Sequence, residues 1–367
     1  MTRSAWEDHI DEAWLAQVDE PVLDPERPIV DPHHHFWARP FPYETPELLA
    51  DLTSGHRVVG TVYTEAGRGY RTAGPTHLRP VGETEFIAAA GEASDRAGHA
   101  PRICAGITGA GDLRMGAAKV DELLDAHIAA GRGRFSGLRA NIFLTFDSTT
   151  SAMTPLPGWE SAVDDPDLIT GVGRLARRGL ALDLVSTHLD LDHVARLARR
   201  IPGAVIVLNH LSPIADFAEH PAPEGELMAA WRRGVEAVAP HENVHMKLGG
   251  LANPFMAHSL PAFRSLREQP KPPTSEQLAD LYRPMVSHAI ETLGAARCMF
   301  ESNFPVDKRC ASYRVLWNAF KRLARPYSEE ERHALLMGTA ARVYQLKSLP
   351  LQAGASLRAS ENDRRKT

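Results

Sequence analysis

The sequence predicts an α/β fold, a (β/α)8 TIM-type barrel with an N-terminal extension and long βα loops. Three observations carry that expectation. Eight short apolar runs recur over about 320 residues, each followed by a longer amphipathic stretch, which is the rhythm of such a barrel. Several of these runs, such as AVIVLNH, are solid apolar blocks and do not alternate, as strands covered on both faces by helices require. A doubly wound sheet would carry a Gly-rich phosphate turn after its first strand; here HHHFW follows instead.

The strands are expected at Pro28–His35, Arg57–Glu65, Arg102–Gly106 and Ser136–Asn141, then Leu180–Val185, Ala204–His210, Asn243–Leu248 and Cys298–Ser302. Between them, VDELLDAHIAA sets Val120, Leu123, Leu124, His127 and Ile128 on one helical face. DLDHVARLARRI stops at Pro202-Gly203, where a helix should stop. Ser328 and Glu331 stand at capping-box spacing ahead of a last helix, EEERHALLMGTAARVY. Residues 1–27 read as an extension and 28–346 as the barrel. Residues 347–367 are an expected disordered tail. The Pro-rich REQPKPPTSEQ reads as a loop between the seventh and eighth strands.

Composition narrows the function. With 43% hydrophobic and 24% charged residues in 367, the chain has enough apolar surface to offset the entropy of ordering, so a disordered protein is excluded. Lys+Arg 41 against Asp+Glu 46 gives a net charge of −5, which supplies no electrostatic reason to bind nucleic acid or an anionic membrane. The expected partner is a small-molecule substrate, with a homo-oligomer compatible with the fold. Three cysteines are too few and too scattered for a disulfide framework or a thiolate zinc site; Cys104 and Cys298 lie inside strands and read as packing residues. The opening MTRSAWEDHIDEAW lacks the apolar stretch of a signal peptide, so a cytoplasmic location is expected.

Chemistry concentrates at the strand ends, where active sites of this fold lie. In IVDPHHHFW, strand alternation sends Asp31, His33 and His35 one way and His34 the other. His33 and His35 can share a metal ion or an oxyanion, while His34 reads as structural. His210 ends the sixth strand in VIVLNHL, and His188 lies a few residues past the fifth. In RCMFESNFPVDK, the eighth strand delivers Glu301, Ser302 and Asn303 to the rim. Asn303 cannot act as a base. Asp307 and Glu301 are the nearby carboxylates, and spacing alone does not choose between them. Arg139, Asn141 and Lys247, with Glu65 ending strand two, could hold an anionic or carbonyl group.

DPHHHFW, LNHL and MFESNFP, with RFSGLRANIF and NVHMKLGGL, resemble the amidohydrolase superfamily over about Pro28 to Leu346. The likeness is strongest to the branch that includes 2-pyrone-4,6-dicarboxylate lactonase, sugar lactonases and the aminocarboxymuconate-semialdehyde decarboxylase group. The resemblance implies His33 and His35 as the strand-one pair and His210 as the strand-six histidine. It implies His188 as a third ligand in the metal-using group, although Leu189 follows it in place of proline. The branch's strand-eight Gly-Ser-Asp-x-Pro stands here as Glu301-Ser302-Asn303-Phe304-Pro305, so Asn303 replaces its aspartate. Three neutral imidazoles can still hold one divalent metal, Zn2+ above all. The implied function is hydrolysis of a small, carboxylate-bearing lactone or related carbonyl compound. His210 would move the proton, with Asp307 as the alternative base; Asn303 would orient water or substrate, and Arg139, Lys247 and Glu65 would bind the substrate. A metal-dependent decarboxylase and a non-catalytic barrel with a binding role are the alternatives.

Overall fold

The computed structural model describes residues 10–38, 41–147, 152–215, 222–251, 260–264, 266, 268–347 and 349. The expected tail lies almost wholly outside them, as does much of the loop after the seventh barrel strand.

All eight expected strands form. They are β1 (Ile29–His34), β2 (Val58–Thr64), β3 (Arg102–Ala110), β4 (Phe135–Ala140), β7 (Ala181–Leu184), β8 (Val205–Leu208), β9 (Val244–Leu248) and β10 (Cys298–Phe300). Each pairs in parallel with the next in the order β1-β2-β3-β4-β7-β8-β9-β10. The two edges meet just beyond the strands: His35 N donates to Phe304 O at 2.8 Å and Asn303 N to His33 O at 3.0 Å. The sheet is thereby drawn round into a (β/α)8 barrel.

Two features differ from expectation. A hairpin, β5 (Leu144–Asp147) and β6 (Ala152–Pro155), rises from the βα loop after β4. β3 also runs four residues beyond the expected Gly106, because its glycines lower strand propensity for a reason of packing. A Cβ at Gly106 would stand 2.9 Å from Leu346 Cδ2 and 3.0 Å from Ser136 Oγ. Leu346 belongs to a plug. The helical run Glu329–Val343 and the residues after it send Met337, Ala340, Val343, Tyr344, Leu346 and Leu349 against Val30, Val62, Ala105, Ala181, Val207 and Met299. The strand residues of this cluster come from six barrel strands, so the chain's own C-terminal segment fills the end of the barrel opposite the histidines. The expected capping box at Ser328 and Glu331 opens that run.

The extension is tied to the helix Tyr313–Ala324: Leu23 N donates to Asn318 Oδ1 at 2.8 Å and Lys321 Nζ to Leu23 O at 2.8 Å. Cys104, Cys298 and Cys310 are buried and form no disulfide among the described residues. Burial pushes Cys104 and Cys298 up to about 12, which removes them as nucleophiles. Among the described residues no helix is long and apolar enough to cross a membrane.

Candidate active site

The site forms where β1, β8, β9 and β10 end. Asp31 fixes β1 there. Its Oδ1 accepts from Ser302 N at 3.0 Å and its Oδ2 from Tyr313 OH at 3.1 Å, which joins the first strand to the last. With Asp31 held, His33 and His35 turn toward the barrel axis. Their Nε2 atoms stand 3.2 Å apart. His34 points between the strands and meets Thr61 Oγ1 at 2.9 Å, the structural position expected of it. His35 gives its Nδ1 proton to Thr64 O at 2.9 Å, so its Nε2 carries a lone pair.

His210 is delivered by a turn, not by the strand. β8 stops at Leu208, and His210, Leu211 and Ser212 all adopt positive φ (56°, 60° and 45°). Three consecutive non-glycine residues in the left-handed region cost about 1–3 kcal/mol each, and the surroundings enforce them. Glu301 Oε1 accepts from both His210 N (3.0 Å) and His210 Nδ1 (2.7 Å). With its Nδ1 proton committed, His210 presents Nε2 as a lone pair. Its side chain is 10% exposed, whereas those of His33 and Glu301 are sealed.

Glu301 is the hub. Its other oxygen, Oε2, approaches His33 Nδ1 to 2.7 Å but off the line of a hydrogen bond, and has no hydrogen-bond partner. Among the described residues, His33, His210 and Glu301 form the one group of three with donor atoms close enough to share an ion, all within 4.8 Å. The rings of His33 and His210 lie 4.6 Å apart between centroids.

The glycines after β9 leave room for this arrangement. A Cβ on Gly249 would fall 2.6 Å from Glu301 Cγ, and one on Gly250, at φ +66°, would strike the His210 ring. Gly250→Ala should therefore lower stability by about 1–3 kcal/mol by overpacking alone, and should displace His210. Thermal unfolding beside a histidine-resolved NMR spectrum checks this; an unchanged His210 signal would count against the cradle.

Burial holds both strand-one histidines well below the usual imidazole range, helped by Lys247 for His33 and by Arg139 for His35. Both rings are neutral at neutral pH, as a cation ligand or hydrogen-bonding imidazole must be.

Arg139 Nε meets Glu65 Oε1 at 2.7 Å, with the two side chains 14% and 12% exposed, so this ion pair is partly accessible. Behind it, Glu83 Oε1 accepts from Tyr63 OH, Ala66 N and Arg68 N at 2.7, 2.8 and 2.7 Å and pins the loop after β2. Burial and the neighbouring Glu65 hold the Glu83 carboxyl up at about 7. A folded-state value above the ordinary 4.5 means stability that is present at low pH and lost as pH rises through about 7. Unfolding between pH 5 and 8 should show that decline, and Glu83→Gln should flatten it; equal slopes in the two proteins would remove Glu83 as its source.

A family model described as Amidohydrolase matches residues 30–346. The chain belongs to the amidohydrolase family. An uncharacterized protein of Sinorhizobium fredii is 29% identical over 341 residues, 87% of this chain and 98% of its own. An L-fucono-1,5-lactonase of Burkholderia multivorans is 30% identical over 198 residues, 53% of this chain and 60% of that enzyme. An amidohydrolase of Burkholderia multivorans crystallised with bound zinc superposes with a TM-score of 0.63 at 24% identity, covering 88% of this chain and 99% of that one.

Against the amidohydrolase pattern, three expectations change. Asn303, at φ 54°, donates through Nδ2 to Asp307 Oδ1 at 2.9 Å, and its buried Oδ1 has no hydrogen-bond partner. An aspartate there would set two carboxylates against each other, which is a physical reason for the amide. Asp307 lies buried beyond that turn, so the carboxylate beside His210 is Glu301, one of the two the sequence left open. His188 does not enter the donor cluster; its Nδ1 lies 3.4 Å from Ala215 N. Lys247 is sealed from solvent and paired with Asp183 at 2.7 Å, so it is not a surface for a substrate anion. Asp183 and the Gly249-Gly250 pair escaped sequence reasoning. A lone Asp in the apolar run LALDLV was the available signal for the first.

Proposed function

We propose that the protein hydrolyses a small lactone, a sugar-acid lactone or a carboxylate-bearing analogue. One observation carries this reading: Glu301 fixes His210 through Nδ1 and leaves Nε2, beside the His33–His35 pair, free to take a proton. A carboxylate that orients a neutral imidazole is the arrangement general-base catalysis needs. The partial likeness to an L-fucono-1,5-lactonase supports the lactone class.

In this reading His210 Nε2 removes a proton from water as the oxygen attacks the ring carbonyl. When the ring C–O bond breaks, the same Nε2 returns the proton to the departing alkoxide, so that no net proton stays on the enzyme. Glu301 stabilises the transient imidazolium. Arg139, braced by Glu65, meets the substrate's carboxylate or hydroxyls at the mouth.

The donor set also fits a divalent cation such as Zn2+. Two ligand nitrogens on a tetrahedral Zn2+ sit about 3.4 Å apart, close to the 3.2 Å between His33 and His35 Nε2, and Glu301 Oε2 is an unsatisfied buried anion beside them. His33 and His35 would hold the ion through their Nε2 atoms, with the Glu301 charge beside them and His210 Nε2 left to the water, and the ion would supply Lewis-acid polarisation of the carbonyl. His188 has no part in that set.

The test is a panel of five- and six-membered aldonolactones and carboxylated lactones followed by acid release, in parallel with hydroxybenzoates followed by CO2 release. Acid release with kcat/KM above about 10⁴ M⁻¹s⁻¹, an ordinary enzymatic value, is the expected result. CO2 release instead would replace hydrolysis by decarboxylation, and binding without turnover would make the barrel a binding protein.

A further inference from the structure

Beneath the histidines, His33 stands on a buried polar column, Lys247, Asp183 and Tyr344, that hydrolysis does not call on. Lys247 Nζ stands 2.7 Å from Asp183 Oδ2 and 3.2 Å from His33 Nδ1. The Tyr344 hydroxyl, carried in by the C-terminal plug, lies 2.9 Å from both Asp183 oxygens and donates to them. None of the four side chains is more than 1% exposed. A buried ion pair adds little net stability over apolar residues of the same size, so this one invites a reason beyond packing.

The reason lies at His33 Nδ1, which has two competing neighbours. A neutral imidazole carries one proton, so each ring nitrogen either donates or accepts. If Nδ1 accepts from Lys247, the proton sits on Nε2 and points at His35 Nε2, which is an acceptor because His35 Nδ1 donates to Thr64 O. Every hydrogen in the series Lys247, His33, His35, Thr64 then has an acceptor. If Nδ1 instead donates to Glu301 Oε2, two Nε2 lone pairs face each other at 3.2 Å, and a bound cation is what relieves them. Lys247 Nζ meets His33 Nδ1 at 3.2 Å in hydrogen-bond geometry, whereas Glu301 Oε2, though nearer at 2.7 Å, lies off the line of the ring N–H.

We propose that Lys247 is a positioning residue, anchored by Asp183 and Tyr344, that keeps His33 in its Nε2–H tautomer while no cation is bound. A divalent cation then takes His33 Nε2 only as the ring proton is exchanged to Nδ1, where Glu301 Oε2 accepts it. One proton leaves Nε2 and one arrives at Nδ1, so the ring stays neutral and none is released. Lys247 keeps its bond to Asp183 throughout. The exchange rests on the cation reading given above; the tautomer of the metal-free protein does not.

The experiment uses the full chain, stripped with chelator and labelled with 15N-histidine, with His33 assigned by a His33→Gln variant. Long-range 1H–15N correlations are expected to show His33 as Nε2–H in the metal-free wild type and as Nδ1–H in Lys247→Met. Adding Zn2+ to the wild type should produce the same switch. Chelator competition should show Zn2+ bound about tenfold more tightly by Lys247→Met, which lacks the neighbouring positive charge. The double variant Lys247→Met/Asp183→Asn, which leaves no unpaired buried charge, should behave alike if the single one folds poorly. An Nδ1–H tautomer in the metal-free wild type, or weaker Zn2+ binding with an unchanged tautomer in both variants, would overturn the proposal. Tautomers as stated with no Zn2+ binding by any variant would support the positioning role and remove the exchange together with the cation reading.

Discussion

His210→Ala is expected to lower kcat for lactone hydrolysis by about 10²- to 10⁴-fold, the range for loss of a positioned general base, with KM little changed. The ring is held by Glu301 at Nδ1 and at the backbone nitrogen, so its removal leaves water near the carbonyl with no group to take its proton. The fold should survive, because a partly exposed side chain is lost and the strained turn is still held by its neighbours. Steady-state kinetics beside circular dichroism checks the two halves separately. A variant that keeps more than a tenth of wild-type turnover would move the base elsewhere.

Glu301→Gln tests the hub. The substitution preserves volume and leaves an amide oxygen able to accept the His210 Nδ1 proton, but it removes the charge that stabilises an imidazolium. It also turns an –NH2 toward His33 Nδ1, where the amide and Lys247 compete as donors for one lone pair. Loss of a buried orienting carboxylate in a comparable carboxylate–imidazole pair costs about 10⁴ in kcat, and about 10² to 10⁴ is expected here. The ability to hold a divalent cation should fall with it, since the substitution removes the negative charge beside His33 and His210. Turnover and zinc content both at wild-type level would show that the carboxylate does neither job.

Much of the architecture was legible because a parallel barrel writes itself as solid apolar runs. AVIVLNH and CMFES can only be strands sealed on both sides, and all eight such runs became strands. The β5–β6 hairpin was not legible, since it belongs to a loop whose sequence answers to the mouth and not to the core. His33 and His35 were legible through strand alternation. His210 was recognised as a rim residue, but its orientation comes from a left-handed turn with no alternation to read.

The eighth-strand motif shows the limit most clearly. In Glu301-Ser302-Asn303 the pattern drew attention to the missing aspartate, whereas the chain places its carboxylate two residues earlier, against two histidines. Only the distances to His33 and His210, 268 and 91 residues away in sequence, reveal that. Lys247 was found and its role mistaken for the same reason, because its partners Asp183 and Tyr344 are remote in sequence and lone in their surroundings.

The most direct measurement is a crystal structure of His210→Asn, an inactive variant by this account, soaked with an intact six-membered aldonolactone that the wild type hydrolyses. The expected result places the carbonyl oxygen at the His33–His35 pair, the carbonyl carbon beneath the position of the lost Nε2, and the hydroxyl or carboxylate groups against Arg139. A lactone bound with its carbonyl turned away from the histidines, or seated outside the ends of β1, β8, β9 and β10, would contradict the account.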